Sequence, residues 1–155
     1  NFNVMIIIAH RGNLKGPDPI NENKPEYLEF AIEKGFEIEV DVWVQSEKIF
    51  LGHNNPAFEI NINFLNKFKS KSWFHAKNIE ALEFFTKYSL DQNDLNYFWH
   101  ENDDFTLTSQ GWIWAYPDKY SNFKSIAVLP EINKTKIQNF SGICTDYVFR
   151  YNLND

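Results

Sequence analysis

Cysteine is nearly absent from this chain. Cys144 is the single example in 155 residues, so no intrachain disulfide can form and a reducing compartment, the cytoplasm, is the expectation. Basic residues are scarce relative to acids, 15 Lys and Arg against 21 Asp and Glu, for a formal net charge of −6. Nucleic acid and anionic membrane surfaces need a cationic field, so neither is expected as a partner. An anionic small molecule is still allowed, provided Arg and Lys gather locally. Long apolar runs are missing too. The first one, residues 4–9, is too short for a transmembrane helix or the core of a signal peptide, and no membrane insertion is expected. The chain also has no internal repeat, low-complexity tract or splitting linker, so residues 1–155 are expected to form one domain. It is rich in hydrophobic residues (43%) and in aromatics, with 15 Phe, 7 Tyr and 5 Trp. That composition excludes general disorder.

Residues 4–9 form a continuous β-branched run of the kind found in strands buried on both faces. Residues 13–23 contain Gly16, Pro17 and Pro19 and read as loop. Residues 25–34 carry Leu28, Ala31 and Ile32 at helical spacing, open on a proline and stop before Gly35. Strands are predicted at 36–44, 48–51, 72–76, 95–99, 125–129 and 142–147. Helices are predicted at 61–69 and 79–88, and a short helical turn at 135–139. Residues 105–108 and 112–116, joined by Ser109-Gln110-Gly111, read as a hairpin. The alternation of strand and helix predicts a mostly parallel α/β sheet with right-handed crossovers. A closed eight-stranded barrel takes about 250 residues, so the expectation is a trimmed barrel or an open sheet.

The residues that can do chemistry share a position. His10, Arg11, Glu39, Asp41, His75, Lys77, His100, Glu101 and Glu131 all fall at the C-terminal end of a predicted strand or in the turn after it. Parallel α/β folds build their sites on that edge. Glu39 and Asp41 flank one residue, so a strand puts both carboxylates on one face, roughly 6–7 Å apart. Their repulsion is relieved by a divalent cation. An acid pair on a solvent-facing edge is the plainer alternative, but Ile38, Val40 and Val42 mark the strand as central. His10 alone would read as a core histidine. Arg11 next to it offers the planar fork that matches phosphate, and Gly12 allows close backbone approach. His53 sits between Gly52 and a polar turn, at the mouth of a site. Two histidines near neutral pKa can supply one acid and one base. Lys77 shares a strand face with His75, where it can neutralise phosphate while His75 ligates metal; a surface lysine at a helix entry is the plainer reading. Tyr97, Phe98, Trp99, Trp112, Trp114 and Tyr116 read as core and pocket wall.

This set resembles the glycerophosphodiester phosphodiesterase family of the phospholipase-C-like phosphodiesterase superfamily. The resemblance rests on His10-Arg11-Gly12, Glu22-Asn23-Lys24, Glu39-Val40-Asp41 and His53, with a closing Thr145-Asp146 segment. It implies a TIM-type (β/α) barrel, trimmed here, with helices shortened or missing in the C-terminal half. It implies His10 and His53 as the catalytic pair, Arg11 and Lys77 on the phosphate, and Mg²⁺ or Ca²⁺ on Glu39 and Asp41. In the family mechanism a hydroxyl next to the phosphate attacks it, and water opens the resulting cyclic ester.

Where the family places Glu-x-Lys, this chain has His75-Ala76-Lys77. Imidazole suits Mn²⁺ or Zn²⁺ better than Mg²⁺ or Ca²⁺, so those metals enter as alternatives, and Glu101 and Glu131 stand beside His75 as third-donor candidates. Lys24 also replaces the family's Thr. The expected function is metal-dependent hydrolysis of a small glycerophosphodiester-like molecule. The alternatives are a lipid phosphodiesterase of the same superfamily and a non-catalytic module that binds a phosphorylated ligand.

Overall fold

The computed structural model describes residues 4–91 and 94–151. Ten strands join in one curled sheet. At its middle, β1 (Ile6–His10) pairs in parallel with β2 (Glu37–Gln45) on one side and β10 (Gly142–Thr145) on the other. Beyond β10 come β9 (Ser125–Val128) and β8 (Ile113–Ala115), both parallel, and then β7 (Phe105–Leu107), antiparallel to β8. On the opposite edge β2 pairs in parallel with β5 (Ser72–Ala76), and β5 with β6 (Tyr97–Trp99). The second half of β2 turns back into β3 (Lys48–Leu51), which pairs antiparallel with β4 (Phe58–Ile60). The curl brings the segment after β7 round to β6, where the Ser109 N–H donates to the Tyr97 carbonyl at 2.8 Å.

Three helices accompany this sheet: α1 (Pro25–Glu33), α2 (Ile62–Phe68) and α3 (Ile79–Asp91). In the first turn of α1, Pro25 has no N–H to leave unpaired. Fully buried Leu28 and Ala31 then join the helix to the core shared with β2. The start of α2 is capped by Asn61, whose side-chain oxygen accepts the Phe64 N–H. Asn78 does the same for α3 by accepting the Ala81 N–H. Its amide also bonds both the N–H and the carbonyl of Val44, so one side chain fixes the helix to β2.

The expected trimmed TIM-type barrel does not form. The architecture is a curled mixed sheet, a half-barrel, with helices only between its early strands. After Asp91 no α-helix is found among the described residues, because the connections there carry turn residues in place of an apolar stripe at helical spacing. The predicted turn at 135–139 is likewise not helical. Ile137 and Phe140 pack directly on Ala115, Ala127 and Ile143, and a loop covers that part of the sheet. Antiparallel pairs at β7–β8 and β2–β3–β4 also break the parallel repeat. The sequence reading missed β4, whose three residues are too few to show a period. Among the described residues no helix is long and apolar enough to cross a membrane.

What positions the site is the strand period of two. Inside the curl, Ile8, Trp73, Phe98, Trp114, Val128 and Cys144 pack into an apolar floor. The Phe98 and Trp114 rings lie 4.8 Å apart, and those of Trp73 and Trp114 5.5 Å apart; contacts of this kind add about 0.5–1.5 kcal/mol each beyond burial. Two residues further along five of those six strands stand His10, His75, His100, Tyr116 and Asp146. The strands therefore lift a polar layer directly above an aromatic one. Close strand approach supports this stacking at Gly142, where an added Cβ would lie 2.6 Å from the Ile6 carbonyl oxygen. Gly142→Ala should destabilise the fold by roughly 1–3 kcal/mol, as overpacking does. An unchanged urea midpoint would contradict that.

Candidate active site

Strand register assembles the centre of the site. Across β1 and β2, His10 stands beside Glu39; across β2 and β5, Asp41 stands beside His75. A sharp turn follows β1, held by Arg11 N–H to the Glu39 carbonyl, Gly12 N–H to Ala9 and Asn13 N–H to His10, at 3.0–3.2 Å. Both Arg11 (φ 56°) and Gly12 (φ 86°) are in the left-handed region. At residue 12 a Cβ would also meet the Tyr27 ring at 3.0 Å, so glycine is required there. Arg11 is held in a conformation that disfavours side chains. Its guanidinium is then placed among acids: 3.3 Å from Glu22 Oε2 and, from Nε, 3.4 Å from Asp41 Oδ2.

Asp41 is the hub. Asn23 is fully buried at φ 65°, donates from its amide to Asp41 Oδ2 at 2.8 Å and accepts the Asp41 N–H at 3.0 Å. His75 Nδ1 faces Oδ1 at 3.1 Å, and His53 Nδ1 lies 3.5 Å from Oδ2. Burial pushes the Asp41 carboxyl up, but the imidazoles of His53 and His75 and the charge of Arg11 outweigh it, so the group stays ionised below the usual carboxylate range. Glu39 goes the other way. Burial and then the neighbouring Asp41 charge raise it, and its Oε2 is buried without a hydrogen-bond partner.

The two catalytic candidates are held differently. His10 Nδ1 bonds Asp146 Oδ1 at 2.7 Å, which leaves Nε2 as the working nitrogen. Burial lowers the His10 pKa, but the Asp146 bond and the Glu39 charge outweigh it and the net direction is upward. His53 Nε2 accepts from Arg11 Nη2 at 3.1 Å, which assigns the ring hydrogen to Nδ1, on the Asp41 side.

One cavity of about 220 Å³ is lined by His10, Arg11, Glu39, Asp41, His53, His75 and Lys77 on its polar side, with Phe98, Trp114, Tyr116, Val128 and Leu129 on its apolar side. All seven of those polar residues were expected at the site from sequence. Glu101 also lines the cavity but is exposed, and it lies outside the compact donor set. Glu131 is not in the cavity. Its oxygens accept the Thr145 hydroxyl at 2.9 Å and the Asp146 N–H at 3.0 Å, so it braces the partner of His10.

Sequence reasoning assigned no site role to Asp146 or Asn23. Asp146 directly follows β10, and the strand-end rule that selected the other groups would have found it. Nothing local marks Asn23, because its partner is 18 residues away. Behind them, Asn13 donates to both Glu22 and Asp146 and accepts from the Tyr27 hydroxyl, linking the two flanks of the turn.

One oxygen from each of Glu39 and Asp41 and one nitrogen from His75 lie within 4.8 Å of one another. Bonds of about 2.0–2.6 Å from a single cation can span such a set. His75 Nε2 faces the His100 carbonyl at 3.2 Å and so carries a hydrogen, turning Nδ1 toward the carboxylates.

Compared with protein-family models, curated proteins and solved structures, the chain matches none. The family resemblance therefore rests on the motif residues alone.

In metal-free protein, Asp146→Asn should move the His10 titration midpoint down, because a carboxylate that favours the imidazolium is lost. The protonated fraction at pH 7 falls with it. Proton NMR of the ring checks this, and a midpoint that stays or rises would refute the Asp146 role.

Proposed function

We propose that the chain is a metal-dependent phosphodiester hydrolase acting on small glycerophosphodiester-like molecules. The observation that carries this reading is the collection of four histidines (His10 and His53 among them), an arginine, a lysine and a buried carboxylate pair around one small cavity. No common structural need explains that set. A core would bury such charges only in pairs, whereas here Glu39 keeps an unpartnered oxygen.

Each residue then has a task. His10 transfers a proton at Nε2, while Asp146 holds Nδ1–H and supports the imidazolium form. His53 is the second proton carrier; its Nε2 is released when a phosphate draws the Arg11 guanidinium away. Arg11 and Lys77 neutralise the phosphate oxygens. The aromatic wall excludes water from one side of the reacting group. A divalent cation held by Glu39, Asp41 and His75 would supply positive charge where negative charge develops on the phosphoryl oxygens. A small-molecule diester fits the size of the cavity and the Arg11 and Lys77 in its lining, and the lone buried Cys144 suits the cytoplasm.

The test is turnover of a soluble glycerophosphodiester and of bis(p-nitrophenyl) phosphate, with Mg²⁺, Ca²⁺, Mn²⁺ and Zn²⁺ supplied in turn. His10→Ala and His53→Ala should each lower the rate by about 10²–10⁴, as expected for a lost acid or base, with the fold retained by circular dichroism. Absence of turnover with every metal would overturn the hydrolase reading.

A further inference from the structure

We propose that this site selects a first-row transition cation of the Mn²⁺ or Zn²⁺ class over Mg²⁺ and Ca²⁺, and that His75 makes the choice. The inference deepens the proposed function and rests on it only for the presence of a divalent ion.

Three observations carry it. His75 Nε2 is engaged by the His100 carbonyl at 3.2 Å, and Nδ1 faces Asp41 Oδ1 at 3.1 Å. With a ring hydrogen on Nε2, Nδ1 is turned to the carboxylate pair, the position from which an imidazole ligates a cation. Glu39 offers an oxygen to the same donor set, only 3% of the residue is exposed, and no hydrogen bond satisfies its Oε2. The ring also cannot easily swing aside. It stacks on Phe98 at 4.9 Å with planes 16° apart, on a strand locked between β2 and β6.

The alternative all-oxygen site is not assembled. No third carboxylate joins Glu39 and Asp41: Glu131 is engaged by Thr145 and Asp146, and Glu101 stands exposed at the rim. Mg²⁺ and Ca²⁺ favour oxygen, whereas imidazole beside carboxylate suits Mn²⁺, Co²⁺ and Zn²⁺.

The experiment is metal binding to the full chain without substrate, by calorimetry and thermal shift, with Co²⁺ absorption reporting nitrogen ligation. Wild type should bind Zn²⁺, Mn²⁺ and Co²⁺ at one per chain, at least about tenfold tighter than Mg²⁺ or Ca²⁺. His75→Glu should weaken Zn²⁺ and Co²⁺ by about tenfold or more and strengthen Mg²⁺ and Ca²⁺. His75→Gln, which keeps a neutral polar side chain, should lose Zn²⁺ without that gain and serves if the glutamate variant misfolds. Equal preference in wild type and both variants, an absence of binding, or an equal loss on Glu101→Gln would overturn the proposal. Selective binding without any diester turnover would instead sink the hydrolase reading and leave this one standing.

Discussion

Two carboxylates two residues apart on β2 are taken out of water side by side, and most of the unusual features near them compensate for that. Asp41 remains ionised because Arg11, His53 and His75 surround it and Asn23 bonds both its side chain and its backbone. Glu39 lacks such partners and is pushed toward the neutral form. The two acids therefore differ although they stand side by side: one is held ionised and the other is pushed toward its neutral form. Removing a charge from such a set leaves others buried and unpaired, which is the more damaging change in a low-dielectric interior.

The strained turn after β1 belongs to the same constraint. Arg11 adopts a left-handed backbone, and Asn23 does the same eleven residues after the end of that turn's glycine. The Asn23 N–H donates to the Arg11 carbonyl at 3.1 Å. Both residues are thus held against the loop's own preferences, and both deliver a side chain to Asp41. On the other flank, Glu131 braces Asp146, Asp146 orients His10, and Asn13 ties Asp146 to Glu22. The result is a cluster in which His10 and Arg11 are fixed by neighbouring side chains, the arrangement that the proposed chemistry would need to keep its geometry from drifting.

The sheet supplies the platform by simple alternation. Apolar and aromatic residues fill the inside of the curl, and the residue two further on at several strand ends is polar. A closed barrel with a helix after every strand is not needed for that. What is needed is that β1, β2, β5 and β10 be parallel neighbours with the observed register, since a shift of one residue would turn every site group outward.

Much of the site was legible in the sequence because strand-end placement and the period of two are local properties. They were enough to name His10, Arg11, Glu39, Asp41, His75 and Lys77, with His53 marked by the polar turn after Gly52, and to place most strands to within a residue or two. That the expected barrel with alternating helices does not form was not legible. The late connections had to be judged by whether they could form helices, and the answer lay in Ile137 and Phe140 packing on the sheet as loop residues. Asp146 stands at a strand end like the others, but its role as the partner of His10, and the roles of Asn23 and Glu131, were out of reach. Each depends on partners 14 to 136 residues distant, or on which of several acids the fold leaves without a bond. Sequence by itself determined which groups stand at strand ends and which face they take, because covalent geometry sets that alternation. Only the tertiary structure decided which of them meet, since pairing across strands is settled by the burial and packing of the whole sheet.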